Sequence, residues 1–96
     1  MFYVMIKSFK DKATENFDAG RRVKTFEAFA KVALRKLDMI KAAAVLDDLR
    51  LPPANRLEAL KGDRKGQHSI RINDQFRICF KWTADGAEDV EITDYH

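Results

Sequence analysis

The sequence predicts an α+β domain in which two or three N-terminal helices pack on one face of an antiparallel sheet of four to five strands. Three observations carry that expectation. Apolar residues recur at helical steps through Phe26, Phe29, Ala30, Ala33, Leu37, Ile40 and Ala44. Two later runs, 69–72 and 76–82, alternate instead with a period of two. Turn-forming clusters at 62–66, 73–75 and 84–86 punctuate the second half at the spacing of a meander.

In order along the chain, Met5 to Phe9 reads as a short strand. Lys10 to Ala19 reads as a short helix with Asp11 or Thr14 as cap, Phe17 as buried anchor and Gly20 as stop. Thr25 is the expected N-cap of the main helix, with Glu27 in the first turn, where the helix dipole favours a carboxylate. Lys31, Arg35, Lys36, Asp38 and Lys41 fall largely off the apolar stripe and are expected on a cationic, solvent-facing side. A shorter helical piece follows from Val45 to Leu49, and Leu51-Pro52-Pro53 ends it. Leu57 to Leu60 reads as a strand, and Gly62 and Gly66 frame a turn through Asp63-Arg64-Lys65. In the next two strands alternation sets Ile70, Ile72, Phe76, Ile78, Phe80 and Trp82 inward, and Ser69, Arg71, Arg77, Cys79 and Lys81 outward. Val90 and Ile92 form the core side of the last strand.

Ninety-six residues, 46% hydrophobic and 34% charged, describe one globular domain, 1–96. Neither a membrane span nor a signal peptide is legible, so a cytoplasmic protein is expected. The single Cys79 cannot form an internal disulfide, and His68 and His96 lack ligand-like spacing, so no metal and no cofactor is expected. The net charge of +3 is unevenly spread: residues 1–56 hold 12 basic and 7 acidic groups, residues 57–96 hold 6 and 8. A basic helical surface suited to a polyanion, beside a more mixed sheet, is one reading; a solubilising helix face is the other.

Cleaving RNA without a metal takes a base for the 2'-hydroxyl proton, a cation for the charged phosphorane and an acid for the departing 5'-oxygen. Arg71 and Arg77 suit the middle role, since a guanidinium fork meets two phosphate oxygens and stays charged. His96 suits proton transfer near neutrality. Tyr95 can stack on a base, Asp94 can orient the imidazole, and Glu58 is a candidate base with Lys61 a phosphate ligand three residues on. His68, at a strand start, is a candidate nucleotide contact. Each of these, taken singly, also reads as an ordinary surface or packing residue, and Cys79 reads as packing.

Taken together, 55–63 (Asn-Arg-Leu-Glu-Ala-Leu-Lys-Gly-Asp), 68–73 (His-Ser-Ile-Arg-Ile-Asn), 75–78 (Gln-Phe-Arg-Ile) and the closing Asp94-Tyr95-His96 resemble the HigB branch, GraT members included, of the RelE-like toxins of bacterial type II toxin-antitoxin systems. The resemblance runs from Met5 onward, so residues 1–4 are expected to be an alternative start or an added remnant. It implies a RelE-like fold and a metal-independent endoribonuclease that enters the ribosomal A site and cuts messenger RNA by 2'-hydroxyl attack. Arg77 would stabilise the transition state, Lys61 would hold phosphate, and Asp94, Tyr95 and His96 would supply acid-base groups and stacking. Arg71, His68 and Arg64 would contact RNA. Some HigB proteins have a catalytic histidine where this chain has Glu58; a carboxylate can accept a proton there, which leaves His96 as the acid. The implied partners are a HigA-type helix-turn-helix antitoxin, the 70S ribosome with its ribosomal RNA, and messenger, with DNA touched only through the antitoxin and no membrane. Two rival readings remain: a ParE-like gyrase poison on the same fold, and a ribosome binder that inhibits translation without cutting.

Overall fold

A computed structural model of the chain describes residues 5–94. Tyr95 and His96 lie outside the described residues, as do residues 1–4. The order of elements is β1 (Met5–Ile6), α1 (Lys12–Asp18), a 3-10 stretch (Lys24–Phe29), α2 (Ala30–Ala42), two short 3-10 turns (Leu46–Arg50 and Pro53–Asn55), β2 (Glu58–Ala59), a 3-10 turn (Gly62–Arg64), β3 (His68–Arg71), β4 (Arg77–Thr83) and β5 (Gly86–Thr93). The five strands form one sheet in the order β1-β5-β4-β3-β2. The antiparallel meander expected of the second half runs through β2 to β5, while β1 joins the edge parallel to β5. Among the described residues no helix is long and apolar enough to cross a membrane.

The α1 cap falls on Asp11, whose Oδ1 accepts from the Thr14 N–H at 2.8 Å. Thr14 is itself fully buried, and its Oγ1 accepts the Ile92 N–H at 3.1 Å, which ties α1 to β5. The main helix begins later than the stripe suggests. Residues 24–29 wind as 3-10 with Val23 at the cap position, and Thr25 is exposed within that stretch, so it is not the N-cap. At three residues per turn Phe26 and Phe29 eclipse one another and both bury. They extend an aromatic chain in which Phe17 meets Phe26 edge-on at 5.3 Å and Phe29 meets Phe76 at 4.6 Å. α2 then buries Ala33, Leu37 and Ile40 completely and ends with Ala43 extended, one residue before the Ala44 expected on the stripe. Lys36 also departs from expectation: it is 6% exposed, buried rather than on the solvent face.

These helices cover the sheet face formed by Ile70, Ile72, Ile78, Phe80, Val90 and Ile92. Burying each such side chain contributes about 1.5–3 kcal/mol. The turn from β3 to β4 is held by Asn73, whose Oδ1 accepts from the Gln75 and Phe76 N–H groups at 2.8 and 2.7 Å. Between Cys79 and Lys81 the β4/β5 register slips, with Asp89 at φ 53, a bulge that lets Val90 pair with the chain after β1.

Candidate functional site

Directly paired residues of an antiparallel ladder share a sheet face. Ser69 pairs with Glu58 and with Cys79, Cys79 with Glu91, and Arg77 with both Arg71 and Thr93. The face away from the helices is therefore Glu58, Ser69, Arg71, Arg77, Cys79, Glu91 and Thr93. The expected placing of Arg71 and Arg77 on one face holds, but the face is less exposed than alternation alone indicates, since Ser69 and Cys79 are both 0% exposed. Charged side chains roof them. Arg64 reaches from its turn to Glu91 at 3.1 Å and to Gln67 at 3.2 Å, and Arg77 lies over Ser69.

Arg77 is held from several sides. Its Nε donates to Ser69 Oγ at 2.8 Å, its Nη2 donates to the Arg56 carbonyl at 2.8 Å, and Nη2 stands 3.5 Å from Glu58 Oε1. Its side chain is 16% exposed, whereas Glu58 is 58% exposed, so the pair sits at the mouth of a hollow rather than in a core. That hollow, about 340 Å³ and open to solvent, is lined by Arg56, Leu57, Glu58 and Arg77. A guanidinium held through Nε and Nη2 can still offer its Nη1 hydrogens to phosphate oxygens, and Glu58 is within reach of the same space as a proton acceptor.

The remaining sequence candidates are distributed more widely. Asp94 leaves the end of β5 one residue after Thr93, the partner of Arg77, and its Oδ2 accepts from Gln75 Nε2 at 2.9 Å. The candidate acid His96 and the stacking candidate Tyr95 fall outside the described residues. Lys61 is exposed on the turn after β2. Arg71 is engaged by Asp74. Arg64 is committed to Gln67 and Glu91. His68 pairs with Phe80 and stacks on it at 6.5 Å, which puts it on the helix-side face, opposite Arg77, with Nδ1 buried and unpartnered among the described residues. It does not join the hollow. Cys79 packs as expected; burial pushes its thiol up from the ordinary 9.0 to about 11, with Arg64 and Arg77 pulling the other way and Glu91 and Glu58 adding to the rise. Among the described residues no three His, Cys, Asp or Glu side chains are grouped so that they could hold a metal ion.

Sequence reasoning missed Ser69 and Arg56 as partners of Arg77. Ser69 was recoverable, because alternation already sets it on the same face; the Arg56 contact is made by a backbone carbonyl and leaves no mark in residue type.

Residues 7–96 match the family described as the RelE-like toxin of type II toxin-antitoxin system HigB. The chain belongs to that family. It is thus a toxin of the RelE/HigB superfamily, as the four quoted segments imply. Toxin HigB-1 of Vibrio cholerae is 44% identical over 80 residues, covering 81% of this chain and 84% of that protein. An uncharacterized protein of Haemophilus influenzae is 50% identical over 52 residues, 54% of this chain and 52% of its own. Among solved structures, the YoeB-YefM complex and the YoeB dimer, both from Staphylococcus aureus, each align over 97% of both chains with a TM-score of 0.57 and 22% identity. At that identity the likeness speaks for the RelE-like fold alone.

Proposed function

We propose that this HigB-family toxin is a ribosome-dependent endoribonuclease that arrests translation by cutting messenger RNA in the A site. The observation that carries the reading is Arg77: a fixed guanidinium at the mouth of an open hollow, beside a carboxylate, on the strand that pairs with the end of β5. In the proposed reaction a base, Glu58, takes the proton of a 2'-hydroxyl. The freed oxygen attacks the adjacent phosphorus. Arg77 stabilises the charged phosphorane, with Lys61 on a neighbouring phosphate, and the bond from phosphorus to the 5'-oxygen breaks. His96 protonates that leaving oxygen, Asp94 orients the imidazole, and Tyr95 stacks on a base. The products are a 2',3'-cyclic phosphate and a 5'-hydroxyl. Arg71, held at one side by Asp74, is assigned to RNA contact. His68, on the other face of the sheet, has no part in this scheme.

The surplus of basic residues in the helical half supports docking on ribosomal RNA, where phosphate contacts supply binding and the shape of the folded RNA supplies alignment. A cytoplasmic site of action follows from that target. Neutralisation by a HigA-type helix-turn-helix antitoxin belongs to the same proposal. YoeB of S. aureus, a structural relative, occurs in complex with YefM, which lends the idea of an antitoxin partner general support.

Mapping messenger ends after brief induction tests the reading. New ends bearing 5'-hydroxyls, lost in Arg77→Ala and His96→Ala, are expected. Intact messengers in arrested cells would overturn it; DNA damage with unaffected translation would point to a gyrase poison, and arrest that survives both substitutions to a non-cleaving binder.

A further inference from the structure

One of the two acceptors that aim Arg77 belongs to a loop rather than to the sheet. Ser69 is fixed within β3, but the Arg56 carbonyl follows the 3-10 turn Pro53–Asn55, and Arg56 itself is left-handed at φ 47, ψ 55. For a residue with a Cβ that conformation costs about 1–2 kcal/mol, so the surroundings must hold it. The Arg56 N–H donates to the Pro53 carbonyl at 3.0 Å, and the residue before it, Asn55, is 0% exposed. Its Nδ2 donates to the carbonyls of Leu49 at 3.1 Å and Leu51 at 3.3 Å, and its Oδ1 accepts from Lys36 Nζ.

Lys36 stands on α2, in the helical layer. A buried ammonium is unfavourable unless it is compensated. Burial, and then the nearby Arg35 and Arg71 charges, hold its pKa below the ordinary 10.5. The acceptor it is given is the side-chain amide of the residue next to Arg56. Lys36 Nζ on the helix layer is thus bonded to the Asn55 side chain, and one residue further along the backbone the Arg56 carbonyl accepts from the Arg77 guanidinium on the polar face of the sheet.

We infer that Lys36 and Asn55 are positioning residues for Arg77, fixing the Arg56 carbonyl and, through it, the direction from which the guanidinium meets phosphate. The kinetic consequence rests on the nuclease reading; the geometric one does not.

The test substitutes Lys36→Met, which keeps the aliphatic stem and removes Nζ, and Lys36→Arg, which restores a donor. In single-turnover cleavage on programmed ribosomes, Lys36→Met is expected to lower the maximal rate on the order of 10- to 100-fold, the range a misplaced group produces, with the toxin concentration for half-maximal rate unchanged. Lys36→Arg is expected to recover the rate to within about threefold, and Lys36→Met to add nothing in an Arg77→Ala background. Independently of cleavage, the NMR resonance of the Arg77 Nε–H, which donates to Ser69, should shift and exchange faster in Lys36→Met but not in Lys36→Arg. If Lys36→Met does not fold, Asn55→Asp, which keeps the Oδ1 contact and loses the Nδ2 bonds to the Leu49 and Leu51 carbonyls and to Met39 Sδ, carries the same expectations. An unmoved Arg77 resonance, or a further loss on top of Arg77→Ala, overturns the inference even if the wild type cleaves. A responsive resonance in a wild type that cuts no messenger sustains the positioning role and removes the nuclease reading instead.

Discussion

Replacing Arg77 by lysine keeps the charge and removes the fork, and the structure sets the size of both effects. The guanidinium holds Ser69 Oγ and the Arg56 carbonyl at the same time, each at 2.8 Å, with an N–H left for Glu58. A single ammonium on a shorter stem cannot meet both acceptors and still offer donors to a phosphate. On the stability side, hydrogen bonds from charged donors contribute about 1.5–3 kcal/mol each. The Arg56 carbonyl lies at the exposed rim and can rehydrate, so the Ser69 bond dominates and the net cost should be roughly 1–2 kcal/mol. For a domain of this size that lowers Tm by roughly 5–15 °C, well short of unfolding at 25 °C against a total of about 5–15 kcal/mol. Loss of a preorganised donor in the transition state costs more, about 100- to 1,000-fold in rate. Thermal denaturation followed by circular dichroism, paired with single-turnover cleavage on programmed ribosomes, reads the two effects separately. A folded Arg77→Lys protein that cleaves within about threefold of wild type would refute the assignment of a bidentate role.

Glu58→Gln should leave stability within about 0.5 kcal/mol, because its ion pair with Arg77 is largely exposed, yet slow cleavage about 100- to 10,000-fold if the carboxylate is the base; equal loss in stability and rate would count against that role. His96→Ala should likewise slow cleavage by about 100- to 10,000-fold with an unchanged denaturation midpoint, and undiminished 5'-hydroxyl ends would remove the histidine from the mechanism. Cys79 predicts a pH effect: its folded-state value, about 11, lies above the ordinary 9.0, so the folded protein holds the thiol proton longer than the unfolded chain. Stability from this group is complete below pH 9 and is lost as pH climbs toward 11, on the order of 3 kcal/mol in all. Urea titrations at about pH 8 and about pH 10.5 should show that fall in the wild type and a smaller one in Cys79→Ala; parallel falls would contradict it.

The parts of this fold that could be read from the letters are those where a local rule and the tertiary structure agree. Asn73 was legible as a turn residue because its short amide satisfies its own backbone. The α2 stripe was legible because Ala33, Leu37 and Ile40 share one side of a helix. Arg71 and Arg77 were legible as facial neighbours because the pleat has a period of two. Where competing contacts decide, the pattern misleads. The spacing of Phe26 and Phe29 satisfies both an α-helix and a 3-10 turn, and packing against Phe17 and Phe76 selects the latter. Ser69 and Cys79 look solvent-facing until Arg64 folds over the sheet to reach Glu91, a contact between residues far apart in sequence. Lys36 looks like a surface lysine because nothing local announces Asn55 as its acceptor. His68 is a different matter. The alternation that turned Ile70 inward also turns residue 68 inward, so its distance from Arg77 was already implied.

The sheet order has a consequence for synthesis. Because β5 lies between β1 and β4, the first strand has no partner until residues 86–93 have emerged, and the pairing of Met5 with Gly86 spans most of the polypeptide. A chain that lacks residues 86–93 therefore has no finished sheet and exposes an incomplete core, and Arg77 is without its register partner Thr93. The strand that completes the sheet on one side of Arg77 is thus also the one on which the first strand waits.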